Sequence, residues 1–127
     1  MKVVIADDSS SIRTKLARYF RELGHDVIGQ AVNGVEAVKF TLEKGPDLVT
    51  LDIVMPELDG LSALSMIRED NPNVVVIMVS SAATLVNELA AKERGANGFL
   101  RKPFDKESLQ KVISTVTTEK PSNERAA

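Results

Sequence analysis

Cysteine and tryptophan are absent from the 127 residues, tyrosine and histidine occur once each, and phenylalanine four times. Without cysteine there are no disulfides, no thiolate metal sites and no cysteine nucleophile, and a reducing cytoplasm is the expected compartment. Aromatic rings this scarce are poor equipment for stacking a flavin or nucleic-acid bases. Neither sign of charge dominates: 16 Lys and Arg stand against 18 Asp and Glu, a net charge of −2. That balance carries no electrostatic footprint for nucleic acid. No apolar run approaches the roughly 20 residues of a membrane span. The patch Val3-Val4-Ile5-Ala6 is too short for a signal-peptide core and is halted by Asp7-Asp8, so it reads as a strand.

What is present suits one soluble domain. Hydrophobic residues make up 43% and charged residues 27%, enough for a core and for a solvated surface. After the first strand, Ser9 to Ser11 offer a helix cap, and Ile12, Leu16, Tyr19, Phe20 and Leu23 recur at helical spacing up to Gly24. Asp26 to Val32 reads as a weaker strand at a sheet edge, preceded by His25, a surface residue on this reading. Asn33-Gly34 opens a helix that ends at Lys44-Gly45-Pro46. Asp47 to Asp52 is a buried strand delivering one carboxylate to its end, followed by a turn with Pro56 and Asp59-Gly60. A helix over 61–69 follows, then Val74 to Val79, apolar throughout and hence central. A helix over 83–94 carries Leu85, Val86 and Leu89. A short strand at Gly98 to Arg101 and a last helix capped by Asp105, with Leu109, Val112, Ile113 and Val116 inward, complete the pattern. Residues 1–118 form the expected domain and 119–127 a polar flexible tail.

Five strands alternating with five helices predict an α/β fold, a doubly wound parallel sheet with helices on both faces. In such sheets the carboxyl ends of all strands share one edge, where ligands bind. The first strand brings Asp7 and Asp8 there, the third Asp52, the fourth Ser80 and the fifth Lys102. Three carboxylates this close repel one another unless a cation neutralises them. Oxygen donors without His or Cys favour Mg²⁺ over zinc. Lys102 and Ser80 suit phosphate oxygens as charged and hydroxyl donors, and an aspartate can itself become an aspartyl-phosphate.

The constellation Asp7-Asp8, Leu51-Asp52 with Met55-Pro56 and Asp59-Gly60, Ser80, and Lys102-Pro103-Phe104 resembles the receiver domain of two-component response regulators. The resemblance spans residues 2 to about 118. It implies a flavodoxin-like receiver fold with strand order 2-1-3-4-5. It also implies that Asp52 accepts a phosphoryl group from a sensor histidine kinase. Asp8, Asp52 and the backbone carbonyl of Val54 would hold Mg²⁺, with Asp7 assisting through water. Lys102 would pair with Asp52 at rest and with the phosphoryl oxygens afterwards. Ser80 would move to bond the phosphoryl group and Phe99 would rotate inward, a bistable element biased by new charge. A cis peptide bond is implied before Pro103.

The match extends to chemotaxis regulators, especially around Asp52 to Gly60. The implied output face is the fourth helix, fifth strand and fifth helix. The implied partners are a sensor kinase, a flagellar motor switch protein and a phosphatase, with the chain itself a monomer bound to neither nucleic acid nor membrane. This sequence departs from the family in having Ser80 where threonine is common and Phe99 where tyrosine is common. Val54 and Ala82 occupy two positions that tune dephosphorylation in the family, and both are apolar, which implies slow self-hydrolysis. An Asp-nucleophile phosphatase of the haloacid-dehalogenase type is disfavoured, because its general acid/base belongs where Val54 stands. A flavin carrier lacks its phosphate-cradling loop, and a receiver-like module that is never phosphorylated would not need this intact set. The remaining alternative is a receiver excised from a longer regulator with methylesterase or DNA-binding output.

Overall fold

A computed structural model describes residues 1–82 and 84–126, with residues 118–126 described by backbone alone. Elements alternate along the chain: β1 (Lys2–Ala6), α1 (Ser10–Glu22), β2 (Asp26–Ala31), α2 (Gly34–Lys44), β3 (Leu48–Leu51), α3 (Gly60–Asp70), β4 (Val75–Ser80), α4 (Leu85–Glu93), β5 (Gly98–Arg101) and α5 (Lys106–Ala126). The five strands are all parallel, in the order β2-β1-β3-β4-β5. The interrupted strand is therefore at an edge, as its Gly29 and Gln30 predict. The tail expected from residue 119 lies outside the residues whose side chains are described.

Alternation along each strand divides the core in two. Val4, Ala6, Val49, Leu51, Val76 and Met78 face Ala37, Val38, Ala63, Leu64 and Ile67 of α2 and α3. Val3, Ile5, Leu48, Val75, Ile77 and Val79 face Leu16, Ala17 and Phe20 of α1 and Leu109, Ile113 and Val116 of α5. β1, β3 and β4 are buried on both faces, which is why their sequences are apolar runs.

Helix starts follow the capping rules. Ser9, Asn33, Asp59 and Thr84 each accept a bond from a backbone amide of the first turn. Asp105 does the same for the Ser108 amide. α4 thus begins at Leu85, two residues later than periodicity suggests, because Thr84 supplies the cap. This helix departs from expectation in a second way. Leu85, Val86 and Leu89 are 70, 74 and 51% exposed, and Ala91 is its buried residue. His25 also differs from its surface reading. It is half-buried, its ring packs edge-on against Phe20 with centroids 6.0 Å apart, and its Nδ1 lies 3.1 Å from the terminal amine. Burial, then the nearby amine, lowers its pKa below the ordinary histidine value.

Candidate functional site

The sheet register places the acidic residues. Ala6 of β1 pairs with Leu51 of β3, so the next residues, Asp7 and Asp52, leave the sheet side by side. The Asp52 amide still donates to the Ala6 carbonyl at 3.1 Å, and the Asp7 amide to Ala31 at 3.0 Å. Both carboxylate-bearing residues are buried, at 1% and 6% exposure, whereas Asp8 is exposed. One oxygen from each of Asp7, Asp8 and Asp52 lies within 4.8 Å of the other two. The trio predicted from the strand ends is thus assembled. Its all-oxygen donors fit a hard cation that keeps several waters.

Lys102 closes the cluster from the β5 side. Its ammonium donates to Asp7 at 2.7 Å and to Asp52 at 3.0 Å. The pairing with Asp52 was expected; the shorter contact with Asp7 was not. Lys102 is seated just past β5 by its amide, which donates to the Ser80 carbonyl at 3.1 Å, and the Lys102–Pro103 peptide bond is cis. Burial alone pulls the Lys102 pKa down, but bonds to the two carboxylates outweigh it and raise the pKa. Burial also raises Asp7, against the lowering effects of Lys102 and of the Ser9 amide, while the Asp52 charge pushes it further up.

Ser80 ends β4 at 1% exposure, and its hydroxyl accepts the Ala82 amide at 3.1 Å. Phe99 on β5 is half-buried and packs against the core on the α2 and α3 side. Val54 is 65% exposed, and its amide approaches an Asp52 carboxylate oxygen at 3.4 Å. The loop after β3 is braced by close backbone approaches. A Cβ on Gly60 would sit 1.9 Å from the Asp52 carbonyl oxygen, and one on Gly34 would sit 2.0 Å from that of Leu58. Only glycine lets α3 and α2 seat against the segment carrying Asp52. Glu57 within that segment takes φ of 70°, a left-handed conformation that sequence reasoning missed.

Against known proteins, the description "Response regulator receiver domain" matches residues 3–114. The chain belongs to the response regulator receiver family. The receiver is 38% identical over 113 residues to the chemotaxis protein CheY of Listeria monocytogenes, covering 89% of this chain and 95% of the relative. It is 41% identical over 104 residues to a protein-glutamate methylesterase/protein-glutamine glutaminase of Archaeoglobus fulgidus, covering 81% of this chain but 30% of that protein. Among solved structures it is similar to a CheX-CheY-BeF3-Mg+2 complex from Borrelia burgdorferi, with TM-score 0.88 and 34% identity over 92% of this chain and 89% of that one. Among the described residues of the receiver, no helix is long and apolar enough to cross a membrane.

Proposed function

We propose that this receiver is a phosphorylation-controlled switch, with Asp52 as the phosphoacceptor, working in chemotaxis. The observation that carries this reading is the carboxylate of Asp52, fixed at the end of β3 among Asp7, Asp8 and the Lys102 ammonium. An Asp52 oxygen attacks the phosphorus of a phosphohistidine on a sensor kinase. The P–O bond forms as the P–N bond breaks, and the imidazole departs with the electron pair and takes a proton from water. Asp8, Asp52 and the Val54 carbonyl would hold Mg²⁺, with Asp7 beside them. Bound there, Mg²⁺ supplies positive charge that offsets the phosphoryl oxygens. Lys102 donates to one of those oxygens and the Ser80 hydroxyl to another, which frees the Ala82 amide it now accepts. Phe99 turns into the space behind Ser80.

The output face of this switch is α4, β5 and α5. Its three exposed apolar residues on α4 suit a protein target such as a flagellar motor switch protein. Relatives of almost the same length that are chemotaxis proteins support that assignment. The likeness to part of a methylesterase supports a second reading, the receiver of a longer regulator. In either case residues 1–118 would be the working domain, monomeric at rest and cytoplasmic. A phosphatase partner would complement slow self-hydrolysis, because Val54 offers no carboxylate to activate water.

Intact mass after exposure to a small phosphodonor with Mg²⁺ tests the core of this reading. One added phosphoryl group, absent from Asp52→Asn, is the expected result. No gain with any donor sinks it.

A further inference from the structure

Among the described residues, no side chain holds Asp8 in place. Its carboxylate is exposed and, among the described residues, makes no hydrogen bond or ion pair. Asp7, by contrast, is held by Lys102 and by the Ser9 amide, and Asp52 by Lys102. The direction in which Asp8 points is therefore set by its backbone, that is, by the peptide plane joining Asp7 to Asp8.

That plane has one conspicuous anchor. β1 ends at Ala6, so the Asp7 carbonyl lies past the last rung of the sheet ladder. Its partner is the guanidinium of Arg13, which donates from Nη1 at 2.7 Å. Arg13 sits in the first turn of α1, and its own amide donates to the Ser9 carbonyl at 3.0 Å. One residue thus grips the loop at both ends, Ser9 through its backbone and Asp7 through its side chain. A charge-assisted bond of this length is stronger than a neutral one and fixes the carbonyl direction.

We propose that Arg13 is a positioning residue for the acidic cluster, aiming Asp8 at the cation by clamping the Asp7–Asp8 peptide plane. This rests on the reading of Asp7, Asp8 and Asp52 as a Mg²⁺ site. It makes a prediction of unusual sign. Arg13 is a cation near a cation site, so by Coulomb's law alone its removal tightens Mg²⁺ binding. Positioning demands the opposite.

Calorimetric Mg²⁺ titration of the unphosphorylated protein separates the two. Arg13→Ala is expected to weaken Mg²⁺ roughly tenfold, the scale of one charge-assisted bond lost. Arg13→Lys keeps the charge and a single donor, and is expected to recover most of the affinity. Arg21→Ala removes an α1 charge at the far end of the helix and leaves affinity unchanged. Phosphotransfer by Arg13→Ala needs correspondingly more Mg²⁺ yet reaches the wild-type rate at saturation. Unchanged or tighter binding in Arg13→Ala overturns the proposal. If Arg13→Ala does not fold, Arg13→Met decides, because it keeps most of the apolar stem and removes the donor and the charge: weaker Mg²⁺ binding supports the clamp, and unchanged or tighter binding overturns it. Wild-type protein that binds no Mg²⁺ overturns the metal reading itself, a result distinct from either.

Discussion

Lys102→Met keeps the length and the apolar stem of the side chain and deletes its ammonium. That ammonium lies 2.7 Å from Asp7 and 3.0 Å from Asp52, with side chains 15, 1 and 9% exposed respectively. Without it two buried carboxylates face each other. At a separation of at most 4.8 Å and an effective dielectric near 20, the bare Coulomb repulsion of the pair is at least about 3.5 kcal/mol, part of which the wild type already carries. Deleting one partner of a buried ion pair costs about 3–5 kcal/mol. The partial exposure of the site favours the low end, about 3 kcal/mol, a large share of the roughly 5–15 kcal/mol that holds a domain together.

The loss must also depend on pH. In the wild type the Lys102 pKa is raised, so its contribution is present at neutral pH and is lost only as pH climbs past 10.5 toward the folded value. The Asp7 carboxyl is raised above 3.8 by burial even with Lys102 in place, and higher still without the bond that lowers it. A carboxyl raised in the folded state loses stability as pH rises from its unfolded to its folded pKa, so mild acid relieves the variant. Saturating Mg²⁺ at about 100 times its Kd returns about 2.7 kcal/mol. Urea unfolding at a series of pH values from about 7 down toward about 4, with and without Mg²⁺, reads all three effects. A loss that nowhere shrinks as pH falls from about 7 toward 3.8, or a loss under about 1 kcal/mol at neutral pH, refutes the reasoning.

Three further outcomes are expected. Arg68→Met strips donors from the carbonyls of Asn71, Val74 and Gly95 and from Asn97, and should cost about 2–4 kcal/mol in chemical denaturation while leaving phosphorylation intact. Thr50→Val removes the hydroxyl that, among the described residues, is buried without a partner, and should raise stability by about 1 kcal/mol; a loss would show that a solvent molecule satisfies it. Val54→Asp puts a carboxylate on an exposed site beside Asp52, and should shorten the lifetime of the phosphorylated protein at least tenfold, on the scale of about 10²-fold for general base catalysis.

Much of this was legible in the sequence because a parallel sheet converts chain order into spatial order. Asp7 and Asp52 each follow an apolar run, and the ladder pairing Ala6 with Leu51 turns that fact into adjacency. Ser80 and Lys102 follow by the same rule through β4 and β5. What stayed hidden depends on long-range packing that no local pattern records. Arg68 looks like a solvated residue near a helix end, yet it ties α3 to the start of β4 and to the turn after α4. Leu85, Val86 and Leu89 have a spacing that suggests a core stripe, but α4 meets the core through Ala91 alone. Gly34 and Gly60 read as turn residues, whereas their lack of a Cβ is what the neighbouring backbone requires. Nothing in the sequence could tell that Arg13 turns back to Asp7 instead of facing solvent.

The uneven seating of the helices sets the timescales on which parts of the molecule open. The acidic cluster hangs from β1 and β3, buried on both faces, so their amides should exchange with solvent only when the whole domain unfolds. α4 has one buried residue and should open on its own at far lower cost. Amides next to Asp52 are therefore expected among the slowest to exchange, and those of α4, one strand away past Ser80, among the fastest helical ones. On the proposed reading, chemistry is kept on the part of the fold that does not yield, and the response is given to the part that does.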